Sequence, residues 1–241
     1  MATGKDDGAL PSTSEKKSLS EKQINFKAVK YIWDAGVKLR MESVPLATAC
    51  MIYHKFFKKC DLEQYDPYTI AASAMYLASK VCEEQVRLKD IVKVCYRTLH
   101  KDEPPSELSN TYIELRESIA RGELLILRVL KFQVAFTMPH NYLQLYMKSM
   151  REWLDPQVWK KKPIWNTAWA FLRDSYHSDI CLQTKAQHMA VAVLYFALQF
   201  HNVRVPQNET TKDKWWQVFC EDVNEDDICS IKEHLIKVYN S

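Results

Sequence analysis

The stretch Ile70-Ala-Ala-Ser-Ala-Met-Tyr-Leu-Ala-Ser-Lys80 returns 119 positions later as Met189-Ala-Val-Ala-Val-Leu-Tyr-Phe-Ala-Leu-Gln199. Ten of the eleven positions keep their apolar or small character, and Lys80 against Gln199 does not. A segment that is apolar or small on nearly every face is a helix enclosed in a core, so its copy implies a second core of the same design. The polar end where the copies diverge is the first candidate for function.

The rest of the composition agrees with two helical units. The 241 residues are 47% hydrophobic and 12% aromatic, enough to fill two cores, while only four glycines argue against a turn-dense β architecture. The expected class is all-α. A formal net charge of +3 demands no polyanionic partner. Seven cysteines without a Cys-x-x-Cys pair read as reduced thiols of an intracellular protein. Neither a secretory signal core nor an apolar run long enough for a membrane span is present, so a soluble protein, nuclear and/or cytoplasmic, is expected.

Residues 1–19 hold almost nothing to bury and are expected to be a disordered tail. Ser20 with Gln23 forms a capping-box pattern that opens helix one. Pro45 opens a second helix with an apolar stripe of Ala49, Ile52, Tyr53, Phe56 and Phe57, and Asp66-Pro67 caps the repeated helix. A short helix is expected at about 88–97, and the Pro104-Pro105 pair marks a loop. A long helix from about Asn110 to Lys131 closes the first unit, and Phe132 to Pro139 is the linker. In the second half, Tyr142, Leu143, Tyr146 and Met150 are spaced helically, and further helices are expected at about 163–176, 184–200 and 224–239, the last capped by Asn224. The run Lys160-Lys161-Lys162 reads as a solvated loop.

Most catalytic chemistries are excluded. Gly4, Gly8, Gly36 and Gly122 cannot form a P-loop or a dinucleotide-binding turn, so no nucleotide cofactor is expected. His177, Cys181 and His188 lack a tetrahedral ligand spacing and read as packing residues, and no metal is expected. Ser175, His177 and Asp179 carry the letters of a hydrolase triad, but such close neighbours cannot reach one another in sequence. No catalytic residue is assigned. Two charges stand out: Lys80, ending the most apolar helix, and Glu123, inside the closing helix of the same unit. Either they pair or lie on a wet face, or they form the rim of a protein-binding groove.

Tyr76-Leu-Ala-Ser-Lys-Val-Cys-Glu-Glu84 and Glu123-Leu-Leu-Ile-Leu-Arg-Val-Leu-Lys-Phe132 resemble the cyclin box. The resemblance covers about residues 20–240 and implies two tandem five-helix boxes, at 20–136 and 137–241, the first contacting a kinase. Ala47-Thr-Ala-Cys-Met-Ile-Tyr-His-Lys-Phe-Phe57 resembles the second helix of transcription-type cyclins. The resemblance implies a regulatory subunit, not an enzyme, that binds and activates a cyclin-dependent kinase, with cyclin-dependent kinase ten implied in particular. Lys80 and Glu123 would then hydrogen-bond the kinase backbone beside its regulatory helix, and Leu127 and Phe132 would line the adjoining apolar pocket. Val81 stands where many cyclins have a larger aromatic. Ala35-Gly-Val-Lys-Leu-Arg-Met41 departs from the substrate-docking pattern of cell-cycle cyclins, so docking by that route is not expected. The alternative is a nucleic-acid-binding or scaffold protein of the same duplicated fold, as in general transcription initiation factors.

Overall fold

The computed structural model describes residues 13–100, 106–206 and 214–240, and these are helical with no strand among them. Five helices form the first group: α1 (Thr13–Leu39), α2 (Ser43–Phe57), α3 (Pro67–Val81), α4 (Leu88–His100) and α5 (Asn110–Val129). The second group comprises α6 (Pro139–Trp153), α7 (Pro156–Lys161), α8 (Ile164–Ser175), α9 (Ile180–Gln183), α10 (Ala186–Phe200) and α11 (Glu225–Tyr239). A 3-10 turn at Trp215–Val218 occupies the place before α11 that α4 holds before α5.

The repeated segments are the central helices of the two groups. In α3, Ile70 to Met75 and Leu77 to Ser79 are buried, and α1, α2 and α5 pack around it. In α10, Met189 to Leu194, Ala197 and Leu198 are buried under α6, α8 and α11. Burying a helix on all sides requires small residues where neighbours approach, which explains the alanines.

Both central helices end with the same backbone motif. Cys82 N donates to Ala78 O, Glu83 N to Lys80 O and Glu84 N to Ser79 O. His201 N donates to Ala197 O, Asn202 N to Gln199 O and Val203 N to Leu198 O, the same bonds displaced by the repeat. Glu83 (φ 59°) and Asn202 (φ 49°) are both left-handed, as this type of helix stop requires.

The sequence signals locate most helix ends. Asp66 accepts from Thr69 N at 2.7 Å with Pro67 in the first turn, Ser109 caps Tyr112 N, and Asn224 with Asp227 forms a reciprocal capping box. Three expectations need correction. Ser20 lies within α1, which begins at Thr13, because no glycine or proline stands between Thr13 and Gly36 to interrupt the helix. Residues 13–19 are therefore helical, while 1–12 of the expected tail lie outside the described residues, as do 101–105 of the expected loop. The lysine run is not a loop either: Lys160 and Lys161 form the last turn of α7. Lys162 Nζ donates to His201 O at 2.5 Å and Asn202 O at 3.3 Å, neutralising the carbonyl end of α10.

The two groups meet at a polar and aromatic seam. His54 Nε2 of α2 donates to Tyr176 O at 2.8 Å, and Trp169 Nε1 of α8 donates to Ser43 Oγ at 3.4 Å. His140 stacks on Tyr176 with ring centroids 6.0 Å apart. Burial holds both imidazoles below their ordinary value, His140 at about 4.

Candidate functional site

α3 and α5 can cross closely because Gly122 has no side chain. A Cβ there would stand 2.2 Å from Ser73 Oγ, so any larger residue must displace that hydroxyl from its bond to Thr69 O or push the helices apart. The next residue, Glu123, is thereby carried to the end of α3, where Lys80 Nζ donates to Oε1 at 2.8 Å and to Oε2 at 2.9 Å. The pair is asymmetric in exposure: 49% of the Lys80 side chain is accessible and 11% of Glu123.

A third group completes the arrangement. Lys80 Nζ lies 4.0 Å from the ring centroid of Tyr76, one turn earlier on α3. Burial opposes the ammonium charge, but the bonds to Glu123 and Tyr76 outweigh it and hold the lysine above its ordinary value. The ammonium is thus charged and directionally fixed, while the carboxylate is sheltered from water. Such a pair offers a partner a preset polar anchor rather than two mobile side chains.

The apolar residues run along α5 from this anchor. Leu127 lies one turn beyond Glu123 on the same side of the helix and is partly buried. Leu124 is 57% exposed and Phe132 is 71% exposed, whereas Val81, the last residue of α3, is half-buried against the core. Phe132 N donates to Leu127 O at 2.9 Å, and both Lys131 (φ 51°) and Phe132 (φ 59°) are left-handed. That conformation costs a bulky residue about 1–3 kcal/mol and holds Phe132 off the end of α5. Sequence reasoning singles out Lys80, Val81, Glu123, Leu127 and Phe132 but misses Tyr76, Leu124 and Gly122. The four-residue spacing of Tyr76 and Lys80 is a usable signal; the role of Gly122 depends on Ser73 of another helix.

The residues weighed for metal or hydrolase chemistry each meet other partners. His177 packs on Phe26, Cys181 Sγ donates to Ser178 O, and His188 turns to Asp222. Ser175 is buried and donates to Leu172 O at 2.6 Å.

The profile described as the N-terminal domain of cyclins matches residues 10–135. The chain belongs to the cyclin family. Cyclin-T1-4 of Arabidopsis thaliana is 29% identical over 213 residues, covering 87% of this chain and 37% of that protein. Cyclin-K of Danio rerio is 26% identical over 238 residues, covering 98% and 54%. These names agree with the resemblance to transcription-type cyclins, although the chain spans only about a third to a half of the length of these curated relatives. In fold, it is similar to a chain of the yeast RNA Pol II CTD kinase CTDK-1 complex, with TM-score 0.73 at 17% identity, covering 92% of this chain and 67% of that one. A chain of the CAK complex of Chaetomium thermophilum gives TM-score 0.68, also at 17% identity, covering 95% and 67%.

Proposed function

We propose that this cyclin is the regulatory subunit of a cyclin-dependent serine/threonine kinase, which it binds through the first helical unit, residues 20–136. The observation that carries the proposal is the fixed Lys80–Glu123 pair beside the exposed Leu124 and Phe132. Glu123 accepts from backbone N–H groups of the kinase, Lys80 donates to a backbone carbonyl, and Leu127 and Phe132 receive apolar side chains. Val81 flanks Lys80.

The mechanism is a population shift. A kinase is active when the glutamate of its regulatory helix meets its phosphate-anchoring lysine, and a surface that binds only that inward position of the helix favours the active state. Moving a kinase from about 1% to about 99% active requires roughly 5.5 kcal/mol of preferential binding. The cyclin supplies that preference and no catalytic group. The second unit, residues 137–241, supports the first across the seam.

Leu172-Arg-Asp-Ser-Tyr-His177 and Trp215-Trp-Gln-Val-Phe219 resemble cyclin Q within the transcription-type branch. We accordingly propose cyclin-dependent kinase ten as the partner and nuclear and/or cytoplasmic sites of action. No helix among the described residues is long and apolar enough to cross a membrane. The nucleic-acid alternative has less support, because several basic residues on and just after helices one and two bind within the chain. Lys38 donates to Thr98, Lys55 to Gln133 O and Lys59 to Val129 O.

The test is co-purification of the chain with recombinant cyclin-dependent kinase ten, followed by a protein-substrate phosphorylation assay, for wild type and Lys80→Glu. Binding and activity with wild type, both lost in a folded Lys80→Glu, are expected. Equal binding by the mutant would remove these residues from the interface, and binding to a different cyclin-dependent kinase would correct the partner alone.

A further inference from the structure

His188, Cys220 and Asp222 come from separate places in the second unit: the first turn of α10, the end of the 3-10 turn and the loop before α11. One ligand atom from each lies within 4.8 Å of the other two. Asp222 Oδ1 is 2.9 Å from Cys220 Sγ and 3.1 Å from His188 Nε2. A tetrahedral zinc centre has sulfur at about 2.3 Å and nitrogen or oxygen at about 2.0–2.2 Å, so its ligand atoms stand about 3.3–3.6 Å apart. Side-chain movements of about 1 Å would convert the observed cluster into such a centre.

The surroundings also suit an ion. The Asp222 carboxylate gathers the Cys220 thiol, the His188 ring and the Lys185 ammonium around it, so it already draws donors and positive charge, and a cation would take the place that the ammonium holds. Cys220 is buried and the His188 side chain is 13% exposed, whereas that of Asp222 is 54% exposed. An ion would be held on the dry side by sulfur and nitrogen, with water reaching its fourth position past the carboxylate. Lys185 is 67% exposed and can leave Asp222 for solvent at small cost.

We propose that His188, Cys220 and Asp222 bind one zinc-like divalent cation, with water as fourth ligand, fastening the loop before α11 to the first turn of α10. Thiolate with imidazole selects zinc over magnesium or calcium. On binding, the Cys220 thiol releases its proton to solvent and the hydrated ion exchanges waters for sulfur, nitrogen and oxygen; no electron is transferred. The site is independent of the kinase-binding reading.

The test uses the full chain, freed of metal with a chelator and titrated with cobalt(II) alone. A sulfur-to-cobalt charge-transfer band with tetrahedral visible bands, saturating at one equivalent and displaced by zinc, is expected. Cys220→Ser should abolish the charge-transfer band while preserving the helical circular dichroism. His188→Ala and Asp222→Asn should weaken binding by at least the ~10–100-fold that loss of an outer-shell partner costs. Lys185→Ala should tighten it. A band that persists in Cys220→Ser, as from cobalt on the exposed Cys229, overturns the proposal, as does a wild type with no such band. Should Cys220→Ser fail to fold, unchanged affinity in Asp222→Asn overturns it equally.

Discussion

At the end of α3, Lys80 Nζ bonds the carboxylate of Glu123 on α5; at the equivalent place on α10, Gln199 Oε1 accepts from Lys232 Nζ of α11 at 2.7 Å. The backbone stop is the same in both, and so is the packing of a closing helix on a central one. The chemistry is different: an ammonium has become a neutral amide and a carboxylate has become an ammonium. The duplicated helix end is therefore a structural device kept for its geometry, and the proposed kinase anchor belongs to one copy because only that copy holds a sheltered carboxylate.

The largest effect should come from reversing a charge in the first pair. Lys80→Glu or Glu123→Lys is expected to cost about 2–5 kcal/mol of kinase binding, measured by surface plasmon resonance, with helical content unchanged. Lys232→Glu and Gln199→Ala should leave that affinity unaltered. Equal losses from both pairs would abolish the distinction between the two units.

Acid should act on two buried imidazoles, His54, which bonds across the seam, and His140, which packs on Trp169 and Tyr176 of the second unit. Burial holds the folded-state values of His54 and His140 below those of the unfolded chain, so their stabilisation is complete above about pH 6.5 and is lost as pH falls, for His140 toward about 4. For His140 the full loss is roughly 3 kcal/mol, because burial weakens proton binding by more than two powers of ten and each power of ten is worth about 1.4 kcal/mol. Urea titrations at pH 7 and pH 4.5 measure this, and His140→Phe should flatten the dependence if burial of this imidazole is responsible.

Gly122→Ala should destabilise the first unit by about 1–3 kcal/mol through overpacking against Ser73, despite the better helix propensity of alanine. Ser73→Gly in the same chain should recover most of it; a neutral Gly122→Ala would show that Ser73 or the two helices can shift without loss. The smallest effect expected is for Phe132→Gly, which relieves a left-handed phenylalanine and should raise thermal stability by about 1 kcal/mol while weakening kinase binding. A change of the same sign in both measurements would remove Phe132 from the proposed contact.

The helical class, the duplication and most helix starts were legible in the sequence because they depend on local signals: alternation of small and apolar residues, Asp66-Pro67, and Asn224 ahead of acidic residues. Lys80 and Glu123 were legible as charges out of keeping with their neighbours, and the proposal that they meet a kinase comes from family resemblance. The beginning of α1 was not, since a capping pattern inside a helix-forming run has no power to start a helix that is already propagating. Lys162 reads as solvated because nothing near it in the chain reveals that the carbonyl end of α10 lies within reach.

Sequence alone determined the helical class, most of the longer helices and which two are enclosed, because backbone propensity and side-chain periodicity act over a few residues. Tertiary structure decided which charges meet. Gly122 against Ser73 brings Glu123 to Lys80, and the return of the chain before α11 brings Cys220 and Asp222 to His188. These contacts join residues far apart in the chain, and hydrogen bonding or coordination requires distances of a few ångströms that only the packing of whole helices sets.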